Sequence, residues 1–341
     1  MSLHPLKHRI CGLCFSFLLL LATVTGCKKS EAERRNAPLR LGFFPNITHA
    51  QALVGNEEGT FARELGEIKL NVKQFNAGPA AMEALSSGSL DITYVGPGPA
   101  INTFLKAGRQ LRVIAGAANG GAVFVARTAR SAQDLKGKTV ASPQIGNTQD
   151  IALRYWLKNQ GLTIADDSKG DVRVIPTSNP DILSLFISRR LEAAWVPEPW
   201  GARLIVEGGG HLLVDERDLW PGRSFPATLL VTTAQVLQAR PEQVSAILRA
   251  HAALTREWQS TPDAFAGKAN DAFGKLTGKR LSPEILKQAF SRIEPTVQPP
   301  AEAMAQTAKH AQALGYVSNA DLAGMIDPSI LTSVLSSAQG R

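Results

Sequence analysis

The sequence predicts an α/β protein of two lobes, each built on a mostly parallel sheet flanked by helices, with two crossing strands as the hinge. Short apolar strands alternate with amphipathic helices from Pro38 onward, the pattern of parallel α/β sheets. One strand, with the prolines that follow it, occurs twice along the chain. The chain after residue 26 is also longer than one domain usually is, which favours two packed lobes.

The first lobe is predicted from a regular succession of strands and helices. Thr48 and Gln51 have the spacing of a capping box, Pro79 lies in a helix's first turn, and Gly88 ends that helix. Each strand therefore ends in a turn that begins a helix. In order, we predict a strand at 39–44, a helix at 48–58, a strand at 68–75, a helix at 78–88, a strand at 90–95 and a Gly-Pro-Gly-Pro turn at 96–99.

The repeated strand relates the two lobes. Residues 90–95, Leu-Asp-Ile-Thr-Tyr-Val, precede a proline pair and recur at 191–196 as Leu-Glu-Ala-Ala-Trp-Val, with the prolines displaced by one position. Two similar lobes would each contain one copy as the corresponding strand. The alternative is a chance similarity between two apolar strands.

The second lobe is predicted to begin near the Asn-Gly-Gly at 119–121. The chain crosses between lobes near 119–126 and 225–232, so that lobe 1 comprises 38–120 and 230–341 and lobe 2 comprises 121–229. In lobe 2 we predict a strand at 138–142, a helix at 151–160, a strand at 172–176, a loop at 177–181, a helix ending at 190 and the strand at 191–196. Helices at 241–260, 283–290 and 300–314 then return to lobe 1.

Residues 1–26 have the pattern of a lipoprotein signal peptide. A basic start precedes an apolar run at 10–24, too short for a membrane span, and small residues stand directly before Cys27. The Thr-Gly-Cys end resembles the bacterial lipobox, in which the cysteine is acylated and becomes the mature N-terminus. We expect a lipid at Cys27, a flexible tether over 27–37, and a location in the periplasm or at the cell surface. The alternative is an uncleaved helical anchor with a chance cysteine.

Composition narrows the function. Cys11 and Cys14 leave with the signal, so the mature chain offers no disulfide framework and no cysteine-ligated metal, and we expect no cofactor. The formal charge is +8, of which Lys7 and Arg9 contribute two, leaving +6. Such a charge suits an anionic ligand or membrane surface, but it is spread without basic blocks, so nucleic acid is not expected. No HExxH, GxSxG or P-loop pattern supports catalysis.

Four segments carry a family resemblance. They are Leu-Gly-Phe-Phe-Pro-Asn at 41–46, the Gly-Pro helix start at 78–79, the strand at 90–92 and Trp-Val-Pro-Glu-Pro-Trp at 195–200. The chain resembles the solute-binding proteins of ABC importers, in particular those for nitrate, sulfonates and taurine, in order over nearly the whole mature chain. The resemblance implies a type II-like periplasmic-binding-protein fold, a monomer, and a permease and ATPase as partners.

The candidate ligand site is the set of helix N-termini that face the cleft between the lobes. Unpaired backbone N–H groups and the helix dipole favour a negative group there. The loops 46–49, 96–99 and 146–148 each follow a strand and carry small or amide residues. The candidates are Asn46, Thr48, His49, Gly96, Pro97, Asn119, Gly121, Asn147, Thr148, Trp195 and Glu198.

Several candidates have a second interpretation. Asn147 with Asp150 also fits a simple helix cap, and His49 also fits an ordinary packed histidine. Trp195, in an apolar strand, fits the core. Glu198 either selects a zwitterion such as taurine or is structural, and we favour the structural role because a carboxylate repels an anion.

The predicted function is the capture of a small oxyanion, an aliphatic sulfonate or a taurine-like compound, for an ABC permease. Nitrate, bicarbonate, phosphonate or phosphite, and thiamine-precursor pyrimidines are alternatives. The candidate loops contain no arginine or lysine, which argues against a doubly charged phosphonate unless Arg154 or Arg223 reaches the site. The rivals are an enzyme on the same fold, like thiamine-pyrimidine synthases, which the missing cysteine-rich motif disfavours, and a sensor or adhesion lipoprotein.

Overall fold

The computed structural model describes residues 36–165 and 169–339. The predicted signal peptide, Cys27 and most of the tether lie outside these residues. Within the described ranges, no helix is both long enough and apolar enough to cross a membrane.

Strands and helices alternate through most of the described chain. The strands are β1 (Leu39–Phe43), β2 (Leu70–Gln74), β3 (Ile92–Val95), β4 (Leu111–Gly120), β5 (Ala122–Ala126), β6 (Lys138–Ser142), β7 (Ile164–Ala165), β8 (Val172–Pro176), β9 (Ala193–Pro197), β10 (His211–Asp215), β11 (Pro226–Thr233) and β12 (Ile293–Pro295). The α-helices are α1 (Ala50–Glu57), α2 (Thr60–Leu65), α3 (Gly78–Ser86), α4 (Pro97–Lys106), α5 (Thr148–Asn159), α6 (Asn179–Ile187), α7 (Trp200–Val206), α8 (Ala234–Ala239), α9 (Pro241–Ser260), α10 (Pro262–Thr277), α11 (Pro283–Phe290), α12 (Ala301–Ala313) and α13 (Ser329–Gln339). Short 3₁₀ turns occupy Ile47–His49, Gln133–Leu135, Glu216–Leu219 and Pro221–Arg223.

The strands form two six-stranded sheets. The first has the order β12-β4-β11-β3-β1-β2 and the second β10-β5-β9-β6-β8-β7. Both sheets are mixed: β1 pairs in parallel with β2 and β3, and β6 with β8 and β9, whereas β11 and β5 pair antiparallel to their neighbours. The strand that follows each crossing between the sheets, β5 after the first and β11 after the second, runs against the parallel set and is antiparallel to both of its neighbours.

The repeated strand occupies equivalent positions in the two sheets. β3 lies between β1, its parallel partner, and the antiparallel β11, while β9 lies between the parallel β6 and the antiparallel β5. Each copy then leads into a helix, α4 after β3 and α7 after β9. The sequence similarity therefore reflects the same local topology used twice.

The cores follow the two-residue alternation of strand side chains. Along β5, Val123 and Val125 face one cluster with Val196, whereas Phe124 faces another with Trp195. Helix α5 packs on the cluster that contains Phe124, and helices α6 and α7 pack on the cluster that contains Val123. The sheet is thus covered by helices on both faces, which is why its strands are apolar throughout.

The sheets join at two crossings of the chain. β4 passes into β5 through Gly120 and Gly121, and β10 is followed by two 3₁₀ turns before β11. Gly121 has a φ of +76°, and a Cβ there would lie 2.6 Å from Ile293 Cγ1 and 2.9 Å from Thr48 Cγ2. Only glycine fits this left-handed, crowded position.

Two local predictions were wrong, and one helix was missed. The helix predicted at 48–58 is a 3₁₀ turn followed by α1, and no capping box forms because Gln51 Nε2 instead donates to the buried carbonyl of Ala117 at 2.7 Å. Helix α2 was not predicted, since its six residues are too few to show a period. The predicted loop 177–181 contains the start of α6, whose N-cap is Ser178.

Candidate functional site

A small cavity lies between the sheets at the carboxyl ends of six strands. Its walls follow β1, β2 and β3 of the first sheet and β6, β8 and β9 of the second. Carboxyl ends of parallel strands are where α/β folds bind ligands, because the chain turns there into helix N-termini. The cavity volume is about 30 Å³, room for about one or two water-sized groups. The lining residues are Phe44, Asn46, Thr48, His49, Asn76, Ala77, Gly78, Gly96, Pro99, Pro143, Asn147, Thr148, Gln149, Asn179, Pro197 and Ala227.

Four α-helices and one 3₁₀ turn begin at this cavity. The helices are α3 and α4 from the first sheet and α5 and α6 from the second, and the 3₁₀ turn starts at Ile47. Asn147 Oδ1 accepts from the amide of Asp150 at 2.7 Å, so α5 is capped by its own side chain. The 3₁₀ turn, α3 and α4 have no side-chain cap hydrogen bond. The first N–H groups of α3 are therefore donors that a ligand can satisfy, whereas the amides of Ile47 and Gly98 already donate to the carbonyl of Glu198 and to Thr148 Oγ1.

The cavity is lined without a charged side chain. None of its lining residues is Asp, Glu, Lys or Arg. His49 is buried, and burial lowers its pKa to about 3, so its ring is neutral. The amide of Phe44 donates to His49 Nδ1 at 3.4 Å, which leaves the ring proton on Nε2. The site therefore offers neutral donors rather than a counter-charge.

Thr148 closes the cavity against the first sheet. Its Oγ1 accepts from the amide of Gly98 at 3.2 Å, and both residues are buried. A Cβ on Gly96 would lie 2.3 Å from the same oxygen, and one on Gly98 would lie 3.0 Å from Thr148 N. Gly96 and Gly98 thus need to lack side chains because the N-terminus of α5 packs directly onto them.

The Trp-Val-Pro-Glu-Pro-Trp segment joins the two lobes beneath the cavity. Trp200 Nε1 donates to Asn46 Oδ1 at 2.9 Å, and the amide of Ile47 donates to the carbonyl of Glu198 at 3.2 Å. Glu198 is fully buried; its Oε1 accepts from Arg292 Nη1 at 2.6 Å and its Oε2 from the amide of Ala202 at 2.9 Å. Burial raises the pKa of Glu198 and the Arg292 cation opposes that change.

The structure brings six of the eleven predicted site residues to the cavity wall: Asn46, Thr48, His49, Gly96, Asn147 and Thr148. Pro97 starts α4 behind Gly96, and Gly121 lies at the crossing against Thr48. The remaining three residues lie elsewhere. Asn119 is in β4 opposite Pro226, and Trp195 is in the core of the second sheet. Glu198 is in the segment that joins the two lobes, where it pairs with Arg292. Trp195 is stacked on Phe124, and its Nε1 donates to Glu216 Oε2 at 2.7 Å.

Asn179 is a lining residue that the sequence analysis missed. It begins α6, and its Oδ1 is buried without a hydrogen-bond partner among the described residues. The signal was present, because Ser178 with Asp181 is a capping pair before a proline and marks a helix start after β8. Gly78 was recognised as a helix start but not as part of the site.

Neither basic residue considered for the site reaches it. Arg154 Nε donates to Asp150 Oδ1 at 2.9 Å on the far side of the first turn of α5. Arg223 is exposed and pairs with Asp218. The amides and hydroxyls of the cavity wall therefore remain the polar groups available to a ligand.

Two α/β lobes with a small site between them are the architecture of periplasmic solute-binding proteins, and solved structures of that class have the same fold as this chain. The alkanesulfonate-binding protein SsuA from Xanthomonas axonopodis pv. citri, bound to MOPS, superposes with a TM-score of 0.71 at 19% identity over 86% of this chain and 98% of its own. The nitrate-binding protein NrtA from Synechocystis PCC 6803 gives a TM-score of 0.74 at 15% identity, covering 90% of each chain.

The chain belongs to the NMT1-like family, whose model matches residues 32–270. A Brucella abortus (strain 2308) protein, named only as a binding protein, is 27% identical over 64% of this chain and 66% of its own length. The taurine-binding periplasmic protein of Escherichia coli K12 is 25% identical over 62% of this chain and 64% of its own. The chain thus covers just under two thirds of the length of these relatives.

Proposed function

We propose that this protein is the lipid-anchored, extracytoplasmic solute-binding component of an ABC importer, and that it captures a small sulfonate in the cavity between its lobes. The observation that carries the proposal is the convergence of helix N-termini from both sheets on one cavity that no charged side chain lines. Such termini present N–H donors and a positive dipole end to an oxyanion. Because polar residues from both lobes line the cavity, Asn46 and Thr48 from one and Asn147 and Asn179 from the other, a bound anion stabilises the closed form over the open one.

The neutral wall supports a singly charged ligand. Backbone and amide donors can hold a monoanion without a fixed counter-ion, whereas a doubly charged phosphonate usually recruits arginine forks. Glu198 pairs with Arg292 and does not line the cavity, so selection of an ammonium group by this carboxylate is not part of the proposal.

Asn179 can contact a sulfonate with or without an amine. Its buried Oδ1 would accept from the ammonium of taurine, while its amide in the flipped orientation would donate to an oxyanion. Nitrate is the second candidate, because a cavity of about 30 Å³ leaves little room beyond the oxyanion itself.

Binding is favoured over catalysis by the chemistry of the wall. His49 is the lining residue suited to act as a general base, but its pKa of about 3 makes it a weak base at neutral pH. The described residues contain no group of three or more His, Cys, Asp or Glu side chains placed to hold a metal ion. We propose delivery to a permease from the resemblance to the binding proteins of ABC importers, and anchoring through Cys27 from the lipobox pattern.

The test is a calorimetric titration with matched ligands. Ethanesulfonate against ethylphosphonate, titrated above the second pKa of the phosphonate, isolates the ligand charge, and taurine against ethanesulfonate isolates the ammonium group. Nitrate is titrated beside them. A ligand present at about one hundred times its Kd also adds about 2.7 kcal/mol to the free energy of unfolding, which thermal melting detects. A response to an uncharged pyrimidine alone, with none to any anion, would contradict the proposal.

A further inference from the structure

A second, larger cavity lies at the opposite edge of the first sheet. It opens beside the amino ends of β1 and β3, whereas the ligand cavity lies at their carboxyl ends. Its volume is about 580 Å³, within the range of small-molecule sites. Three charged side chains line it: Arg40, Asp91 and Arg240.

Two guanidinium groups share one carboxylate in this cavity. Asp91 is 3% exposed and accepts from Arg40 Nε at 2.9 Å and Arg40 Nη2 at 2.7 Å. Arg240 is 5% exposed, and its Nη1 reaches Asp91 Oδ2 at the longer distance of 3.2 Å. Asp91 therefore neutralises Arg40 first, and the cluster keeps one net positive charge in a largely buried position.

Arg240 also keeps one donor unused. Its Nη1 and Nη2 donate to the carbonyls of Pro38 and Ala37, but its Nε is buried without a hydrogen-bond partner among the described residues. Burial lowers the pKa of Arg240, and Asp91 opposes that change. A buried, charged donor without an acceptor is costly, so its presence on a cavity wall indicates an acceptor supplied from outside.

We infer that this cavity binds a singly charged organic acid, with its carboxylate on Arg240 and its apolar part against the leucines of the wall. One uncompensated positive charge selects a monoanion, whereas a phosphate monoester carries about −1.5 to −2. The apolar wall is formed by three buried leucines, Leu85, Leu90 and Leu111, and by the half-buried Val236. The inference is independent of the ligand proposed for the cleft.

The probe is hexanoate, with hexanamide as its uncharged analogue, titrated into the purified protein by calorimetry. We expect saturable binding of hexanoate, binding of hexanamide at least about tenfold weaker, and a loss of at least about tenfold in Arg240→Gln. Thr148→Ala, in the cleft, should leave hexanoate binding unchanged. If Thr148→Ala instead removes it, the acid occupies the cleft and the inference fails while the proposed function stands.

A second pair of variants keeps the test valid if Arg240→Gln does not fold. Ser86 lines the cavity at its exposed rim and Ser87 is its exposed neighbour outside the wall. Ser86→Trp should block hexanoate and Ser87→Trp should not, with both folded by circular dichroism. Equal binding in these two variants, equal binding of hexanoate and hexanamide, or no saturation up to about 10 mM hexanoate would each overturn the inference.

Discussion

Replacing Thr148 by alanine tests how the cavity closes. In the structure, Thr148 Oγ1 is the acceptor for the amide of Gly98, across the boundary between the two sheets. The variant removes this acceptor without affecting the helix cap, because Asn147 supplies the cap of α5. In an open form, water would satisfy the Gly98 amide. The substitution therefore destabilises the closed form and lowers the ligand affinity that depends on closure.

The magnitude follows from burial. Gly98 and Thr148 are both buried, Thr148 with 6% of its surface exposed, so the amide is left without a partner when the lobes close on alanine. An unsatisfied buried donor costs about 1–3 kcal/mol. At about 1.4 kcal/mol for each tenfold change in Kd, we expect affinity to fall about 5- to 150-fold.

The assay is calorimetric titration of the anion that binds the wild-type protein most tightly, with Thr148→Ser as the matched control. Serine retains the hydroxyl and should bind within about twofold of the wild type. Wild-type affinity in the Thr148→Ala variant would refute the role of the hydroxyl. Equal weakening by serine and alanine would assign the effect to the lost methyl group instead.

Four further outcomes are expected. Gly96→Ala should abolish ligand-induced compaction in small-angle X-ray scattering while leaving the circular dichroism unchanged, because its Cβ would lie 2.3 Å from Thr148 Oγ1; wild-type compaction would contradict this. Burial raises the pKa of Glu216 to about 7 from 4.5, so the folded protein holds a proton that the unfolded chain loses. The free energy of unfolding in urea should therefore fall by on the order of 3 kcal/mol as pH rises from about 4.5 to 7. Glu216→Gln should remove this pH dependence, and the same pH dependence in the wild type and the variant would count against the prediction. Because burial lowers the pKa of His49 to about 3, anion affinity should be constant from about pH 5 to 8, and a tenfold change by calorimetry would disprove that. Cys27→Ser should release the protein from membranes, and retention after carbonate washing would argue against the lipobox.

The elements that were predicted well are those whose pattern is local. β1, β3, β8 and α9 lie within a residue or two of the predicted bounds, because apolar runs and proline-initiated helices mark them directly. The capping box predicted at Thr48 does not form because Gln51 Nε2 donates to the buried carbonyl of Ala117 in β4, which is distant in sequence. A local propensity was therefore overridden by a tertiary hydrogen bond.

The candidate site was predicted in part for the same reason. The loops 46–49, 96–99 and 146–148 were recognised because each follows a strand and begins a helix or turn, which a sequence displays. Asn179 was missed because it was assigned to a loop. The sequence alone also left the position of Glu198 open, since its partner Arg292 is distant in sequence.

The sequence by itself determined the alternation of strands and helices, the repetition of one topology in two lobes and the absence of basic residues from the loops that line the site. These properties depend on residues close together in the chain. Only the tertiary structure decided that the helix N-termini meet at one cavity, that Thr148 bonds to Gly98, and that Arg240 is left with an unused donor. Such contacts join residues brought together by the sheet order, and their geometry depends on packing that no local pattern encodes.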